Sequence, residues 1–173
     1  MMSKTMQDAL NEQMKHEFYS SYLYLSMSAF CDHANLPGLA RWMRGQAQEE
    51  TKHAMKIFDH LLDRGGRVEL QPLGRPPVDF ASPKEVFDQA HKHEQQVTAS
   101  INKVYGLAVD ERDFASTAFL DWFVREQVEE EKTSGLLAEQ FRMVGEDRPG
   151  LLMLDRELGQ RKSGQTESAS DAT

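Results

Sequence analysis

The sequence contains a single cysteine, Cys31, among 173 residues. One cysteine cannot form an internal disulfide, and it excludes a metal site built from several thiolates. The first eleven residues are too polar for a secretory signal, and no apolar run approaches the length that crosses a membrane. We therefore expect a cytoplasmic protein that has no membrane partner.

Clustered positive charge is also missing from the chain. Twenty Lys and Arg residues stand against 28 Asp and Glu residues, which gives a formal net charge of −8. Nucleic-acid-binding surfaces need clustered Lys and Arg, so this balance argues against a nucleic-acid partner. The length suits one domain, which we expect to span residues 1–160, followed by a polar, disordered tail over 161–173.

Long stretches of the chain carry apolar residues three and four positions apart, with glycine and proline mostly between them. That spacing predicts amphipathic helices, which we place over 5–33, 37–63, about 83–106 and 111–144. Asn35 is the predicted cap of the second helix, and Ser82-Pro83 is a strong start for the third. A short fifth helix over 151–158 is expected to pack on the end of the bundle or on another subunit.

The segment 67–81 contains three of the six prolines, which predicts an extended connection rather than a helix. Two neighbouring antiparallel helices need only a short loop, so a connection of this length predicts a crossover along the bundle. The predicted fold class is all-α: a four-helix bundle with one long crossover connection and a short fifth C-terminal helix.

Polar residues interrupt the apolar seams of all four long helices. The interruptions are Glu17, Glu50, His53, Glu94, Gln127 and Glu130. The two halves of the chain place them at matching intervals, since Glu50 and Gln127 each follow a single acid by 33 residues (50 − 17 and 127 − 94). Each of these two residues also begins a pair three positions apart, and on a helix that interval puts both side chains on one face.

Four carboxylates in one core are costly to bury unless something neutralises them. The predicted inward positions include no Lys or Arg, so two divalent cations are the expected counter-charge. Carboxylates with one imidazole and no thiolate suit Fe(II) or Mn(II), tolerate Zn(II) and disfavour Cu(I). The pattern therefore predicts a metal centre inside the bundle.

This residue set resembles that of the bacterial non-haem ferritins, over about residues 6–158. Ferritin-like di-iron proteins are the standard example of such a bundle. The resemblance implies a ferroxidase centre that oxidises Fe(II) with oxygen or peroxide, in a homo-oligomeric shell of twenty-four subunits that stores the ferric mineral. It also implies that Glu17, Glu50 and His53 bind the first iron, and Glu94 and Glu130 the second, with Glu50 bridging.

The same resemblance assigns roles to further positions. Gln127 matches a polar group that orients a ligand or an oxygen species, and Tyr24 matches a tyrosine beside the centre that supplies an electron. A third iron site of bacterial members is matched by Glu49, Glu126, Glu129 and Glu130. From the residues alone, Tyr24 is equally consistent with a core tyrosine, and the acids at 129–131 with a solvated run.

Two departures from the related bacterioferritins matter. Those proteins carry Glu-x-x-His in both halves, whereas the second pair here is Gln127-x-x-Glu130. They also bind haem through a methionine where this sequence has Lys52, so no haem is expected. The alternatives are a soluble di-iron peroxidase or oxygenase on the same bundle, and an inert helical oligomer with an acidic core. The histidines without partners at ligand spacing are predicted to lie on the surface: His33, His60, His91 and His93.

Overall fold

A computed structural model of the protein describes residues 2–160. Within that range the chain forms five α-helices: α1 (Lys4–His33), α2 (Pro37–Asp63), α3 (Pro83–Asp110), α4 (Phe114–Val144) and α5 (Arg148–Gln160). The predicted disordered tail over 161–173 lies outside the described residues. None of these five helices is long and apolar enough to cross a membrane.

Short polar side chains begin three of the long helices. Ser3, Ser82 and Asp113 each accept a hydrogen bond from the backbone N–H three residues further on, at 2.9, 3.2 and 3.2 Å. The predicted start of α4 at residue 111 is wrong, because Arg112 adopts a positive φ of 55° and turns the chain before the Asp113 cap. The predicted end of α3 near 106 is also short, since the helix continues to residue 110.

The connections between the helices fix their relative directions. Residues 34–36 join α1 to α2, and residues 111–113 join α3 to α4, so each pair is an antiparallel hairpin. The connection from α2 to α3 covers residues 64–82. An extended segment of that length can reach about 60 Å, more than the roughly 42 Å of a 28-residue helix. This confirms the predicted long crossover.

The buried apolar residues form two clusters that lie on either side of a polar middle layer. The first cluster includes Tyr24, Met43, Phe87, Phe141 and Leu158. The second cluster includes Met6, Ile57, Ile101, Leu120 and Phe123. Along each long helix the polar residues that interrupt the apolar seam fall between residues of the two clusters. Both α2 and α3 begin in the first cluster and end in the second cluster. These two helices therefore run parallel, and the chain must cross the length of the bundle between them.

The fifth helix packs on the start of α2, at the end of the bundle. Asp155 is 7% exposed, and its Oδ1 accepts a hydrogen bond from the Leu39 backbone N–H at 2.9 Å. The prediction that Asn35 caps α2 is wrong, because Asn35 lies in the loop with a φ of 60° and α2 has no side-chain cap at its own N-cap position. A side chain at Gly38 would collide with Asp155, since its Cβ would lie 1.8 Å from the Asp155 carbonyl oxygen.

Candidate metal centre

The six residues that interrupt the apolar seams all lie in the polar middle layer of the bundle. Each is at most 5% exposed, and together they come from all four long helices. They are Glu17, Glu50, His53, Glu94, Gln127 and Glu130. The seam positions read from the sequence therefore do point inward, even though a carboxylate at such a position costs free energy to bury.

Glu17, Glu50 and His53 form a compact group in which a ligand atom of each lies within 4.8 Å of the others. His53 Nδ1 is 3.3 Å from Glu50 Oε2 and 3.9 Å from Glu17 Oε2. Glu17 Oε2 is buried and makes no hydrogen bond within residues 2–160. A buried carboxylate oxygen without a donor is costly, and a bound cation would satisfy it.

Glu94 and Glu130 each accept hydrogen bonds from side chains on other helices. The Tyr24 hydroxyl donates to Glu94 Oε1 at 2.5 Å, and Gln127 Nε2 donates to Glu94 Oε2 at 3.3 Å. Gln46 Nε2 donates to Glu130 Oε2 at 3.2 Å. These two acids are not part of the compact group of three, but the charge of Glu94 raises the pKa values of both Glu50 and Glu130.

Burial is the main influence on the acidity of the layer. It raises the pKa values of Glu17, Glu50 and Glu130 well above the usual glutamate range, and neighbouring carboxylates raise them further. Burial also raises the pKa of Glu94, while the donors Tyr24 and Gln127 favour its charged form. The metal-free layer therefore holds protons that a divalent cation would displace.

The acids predicted for a third iron site are less buried than the six central residues. Glu49 and Glu126 are half-buried, and Glu129 is exposed. Burial raises the pKa of Glu126, and the charges of Glu49 and Glu129 add to that effect. Glu129 Oε2 also lies 3.7 Å from Lys132 Nζ. Glu126 is thus close enough to the other two acids to sense their charge.

The prediction that four histidines lie on the surface is correct only for His33, which is exposed. It is wrong for His60, His91 and His93, which are half-buried. Each of these three has a ring nitrogen 2.7–3.3 Å from a serine hydroxyl on a different helix. Burial lowers the pKa of His93 to about 4, so this imidazole is neutral.

Two glutamines that contact site acids were missed as functional residues. Gln13 Nε2 donates a hydrogen bond of 2.7 Å to Glu17 Oε1, and Gln46 holds Glu130. The sequence did contain a signal for them. Gln13 lies four residues before Glu17, and Gln46 lies four residues before Glu50, so each is one turn away on the same helix face.

Comparisons with known proteins agree with this architecture. The sequence profile of the ferritin-like domain family matches residues 7–144. A probable bacterial non-heme ferritin-like protein of Haemophilus influenzae is 38% identical over 159 residues, which cover 92% of this chain and 96% of that protein. A bacterial non-heme ferritin of Staphylococcus aureus is 36% identical over 161 residues, which cover 93% and 97%.

Solved structures agree as well. The crystal structure of an open pore ferritin from the hyperthermophilic archaeon Archaeoglobus fulgidus has a TM-score of 0.93 and 46% identity, and the match covers 94% of this chain and all of that one. A closed form of the Archaeoglobus fulgidus ferritin engineered by site-directed mutagenesis has a TM-score of 0.92 and 46% identity, with 94% and 99% covered. The chain therefore belongs to the ferritin family, as its residue pattern predicts, and it has the ferritin-like four-helix bundle with a short fifth helix.

Proposed function

We propose that this protein is an iron-storage ferritin with a ferroxidase centre inside each subunit. The observation that carries the proposal is the buried group of Glu17, Glu50 and His53, whose ligand atoms lie within 4.8 Å of one another. Membership of the ferritin family supports iron as the metal. Oxygen ligands with one imidazole are also the donor set that Fe(II) accepts.

Fe(II) is the substrate of the proposed reaction. Glu17, Glu50 and His53 bind one Fe(II), and Glu94 and Glu130 bind the second, with Glu50 as the shared carboxylate. Two Fe(II) ions lose one electron each. One oxygen molecule takes both electrons and two protons to give hydrogen peroxide, or one hydrogen peroxide takes them to give two water molecules.

The side chains of this chain contribute charge, orientation and a dry environment. Four carboxylates in a buried layer favour Fe(III) over Fe(II), because anionic oxygens stabilise the higher charge more strongly at low dielectric. His53 packs edge-on against Trp122 and Phe123, with ring centroids 5.2 and 6.1 Å apart, which holds its imidazole in place. Gln127 keeps Glu94 oriented through their hydrogen bond.

The finer features of the proposal concern sites around the centre and the assembly. Glu49, Glu126 and Glu129, with Glu130, form a third iron site beside the centre, which the mutual influence of their charges supports. When the third site also holds Fe(II), Tyr24 supplies a fourth electron beside those of three Fe(II) ions, so that one oxygen molecule takes four electrons and four protons to give two water molecules; the contact of Tyr24 with Glu94 places its hydroxyl beside the centre. Twenty-four subunits form a hollow shell, and membership of the ferritin family supports a multi-subunit assembly.

The test of the site is Glu50→Ala, measured by ferric absorbance after Fe(II) is added in air. We expect the variant to lose rapid oxidation while its particle size stays unchanged. Glu139→Ala is the matched control, because Glu139 lies on α4 outside the layer and pairs with Arg142. Oxidation at the wild-type rate by Glu50→Ala would show that the site assignment is wrong.

A soluble di-iron peroxidase or oxygenase is the second candidate, since the same buried acid layer would serve it. The two functions differ in the iron that each chain takes up. A storage protein accumulates far more iron than its centre can hold, whereas an enzyme stops near two ions per chain. Sizing the particle during iron loading separates them.

A further inference from the structure

A chain of hydrogen bonds leads from a groove between α1 and α3 to the Glu17 carboxylate. His16 Nδ1 lies 3.0 Å from Ser100 Oγ, and Ser100 Oγ donates to Gln13 Oε1 at 2.6 Å. Gln13 Nε2 then donates to Glu17 Oε1 at 2.7 Å. His16 and Ser100 line a cavity of about 180 Å³, while Gln13 is only 1% exposed. These hydrogen bonds therefore connect a surface groove with the polar middle layer.

The donors and acceptors of these side chains fix the direction in which each hydrogen bond is donated. Ser100 has one hydroxyl hydrogen, which it gives to Gln13 Oε1, so it must accept from a protonated Nδ1 of His16. When Glu17 is ionised, as metal binding requires, reversing the Gln13 amide would set its carbonyl oxygen against a carboxylate that only accepts. Every donor thus points toward Glu17, and hydrogen bonds aligned in this way strengthen one another.

The two oxygens of Glu17 are in different environments. Oε1 receives the hydrogen bond from Gln13, while Oε2 is buried without a hydrogen bond within residues 2–160 and lies 3.9 Å from His53 Nδ1. Fixing Oε1 fixes the rotation of the carboxylate. That rotation directs Oε2 toward the other two members of the compact group.

We propose that Gln13 is a positioning residue for the metal centre, and that Ser100 and His16 set the orientation of its amide. Gln13 acts through Glu17, since it holds one carboxylate oxygen so that the other is available to the metal. The inference rests on the proposed function. Partners of metal ligands typically contribute ten- to a hundredfold in affinity or activity, so we expect roughly that loss when the Gln13 donor is removed.

The test uses Co(II), which does not react rapidly with oxygen and whose visible absorption depends on the ligands around it. Gln13→Met keeps the approximate size of the side chain and removes the donor. Ser100→Ala removes the hydroxyl from a half-buried position, and Ser100→Thr restores a hydroxyl. Gln96→Met is the matched control, because Gln96 lines the same cavity and lies outside the hydrogen-bonded chain.

We expect Gln13→Met to bind the first Co(II) about ten- to a hundredfold more weakly, with a changed visible spectrum. Ser100→Ala should shift affinity in the same direction by a smaller factor, Ser100→Thr should recover it, and Gln96→Met should match the wild type. The double variant Gln13→Met, Ser100→Ala should be no weaker than Gln13→Met alone, because Ser100 acts through Gln13. Thermal unfolding of each variant shows whether any loss reflects unfolding.

The outcomes separate this inference from the proposed function. If the wild type binds Co(II) in the layer and Gln13→Met gives the same affinity and spectrum, only the role of Gln13 is wrong. If Gln13→Met does not fold, Ser100→Ala decides in its place, and wild-type affinity in that variant overturns the inference. If the wild-type protein binds no Co(II), the proposed metal centre itself is wrong.

Discussion

The Tyr24 hydroxyl donates a 2.5 Å hydrogen bond to Glu94 Oε1, which joins α1 to α3 in the middle of the bundle. Both residues are only 1% exposed. Burial and the nearby carboxylates raise the pKa of Tyr24 well above its usual range, so the phenol stays a donor at neutral pH. The same hydrogen bond favours the charged form of Glu94, which is the form that binds a cation.

Tyr24→Phe removes this donor and leaves the ring in place. We expect Fe(II) oxidation to slow by about tenfold, because Glu94 loses a partner that holds its carboxylate in position. Stopped-flow measurement of ferric absorbance gives the rate. Tyr105→Phe is the control, since it removes a tyrosine hydrogen bond to Asp121 outside the layer. Equal rates for wild type and Tyr24→Phe would refute a role for Tyr24.

The raised carboxylate pKa values predict how the stability of the metal-free protein depends on pH. Glu17, Glu50 and Glu130 keep their protons in the folded state at pH values where the unfolded chain, with a glutamate pKa near 4.5, has lost them. The folded state therefore binds more protons, and its stability falls as pH rises through the raised values. We expect the free energy of unfolding in chelator to increase from about pH 8 to about pH 5.

Denaturant unfolding across that pH range, in the presence of chelator, checks this prediction. The matched variant is Glu17→Gln combined with Glu50→Gln, which removes two of the titrating groups while keeping similar side-chain size. Its free energy of unfolding should vary less with pH than that of the wild type. A wild-type stability that instead rises with pH over this range would mean that these carboxylates are charged in the metal-free fold.

Asp155 predicts a separate effect on the fifth helix. Asp155→Ala removes the acceptor for the Leu39 N–H at the start of α2, and losing such a cap costs about 1 kcal/mol. We expect faster hydrogen exchange in residues 148–160 and a lower unfolding temperature. Co(II) affinity should not change, because Asp155 lies beside Leu154 of the first cluster, and its charge acts on Cys31 of that cluster, outside the polar middle layer. Unchanged exchange in this helix would show that its apolar contacts alone hold it.

Much of the fold could be predicted because each helix carries its own apolar seam. The wrong cap at Asn35 and the wrong start of α4 arise where Asn35 and Arg112 adopt positive φ, a conformation that non-glycine residues seldom take. The cap of α2 could not be predicted locally either, because its acceptor, Asp155, is 116 residues away from Leu39 in the sequence. Helix ends thus depend on contacts that local sequence does not reveal.

The candidate site also contains residues that could be predicted from the sequence and residues that could not. Glu17 and Glu94 stand out in the sequence because they interrupt apolar seams, and the structure buries both. The partners that orient them do not stand out. Gln13 meets Ser100 across 87 residues of sequence, and half-buried histidines such as His93 meet serines on other helices. Those contacts depend on the rotation and register of packed helices, which seam spacing alone does not determine.

The most direct test of the account is to add Fe(II) in air to the purified protein and to follow ferric absorbance, iron content and particle size together. We predict a large hollow particle that takes up far more than two or three iron ions per chain. A small oligomer that stops at two iron ions per chain would contradict iron storage and favour a di-iron enzyme on the same bundle.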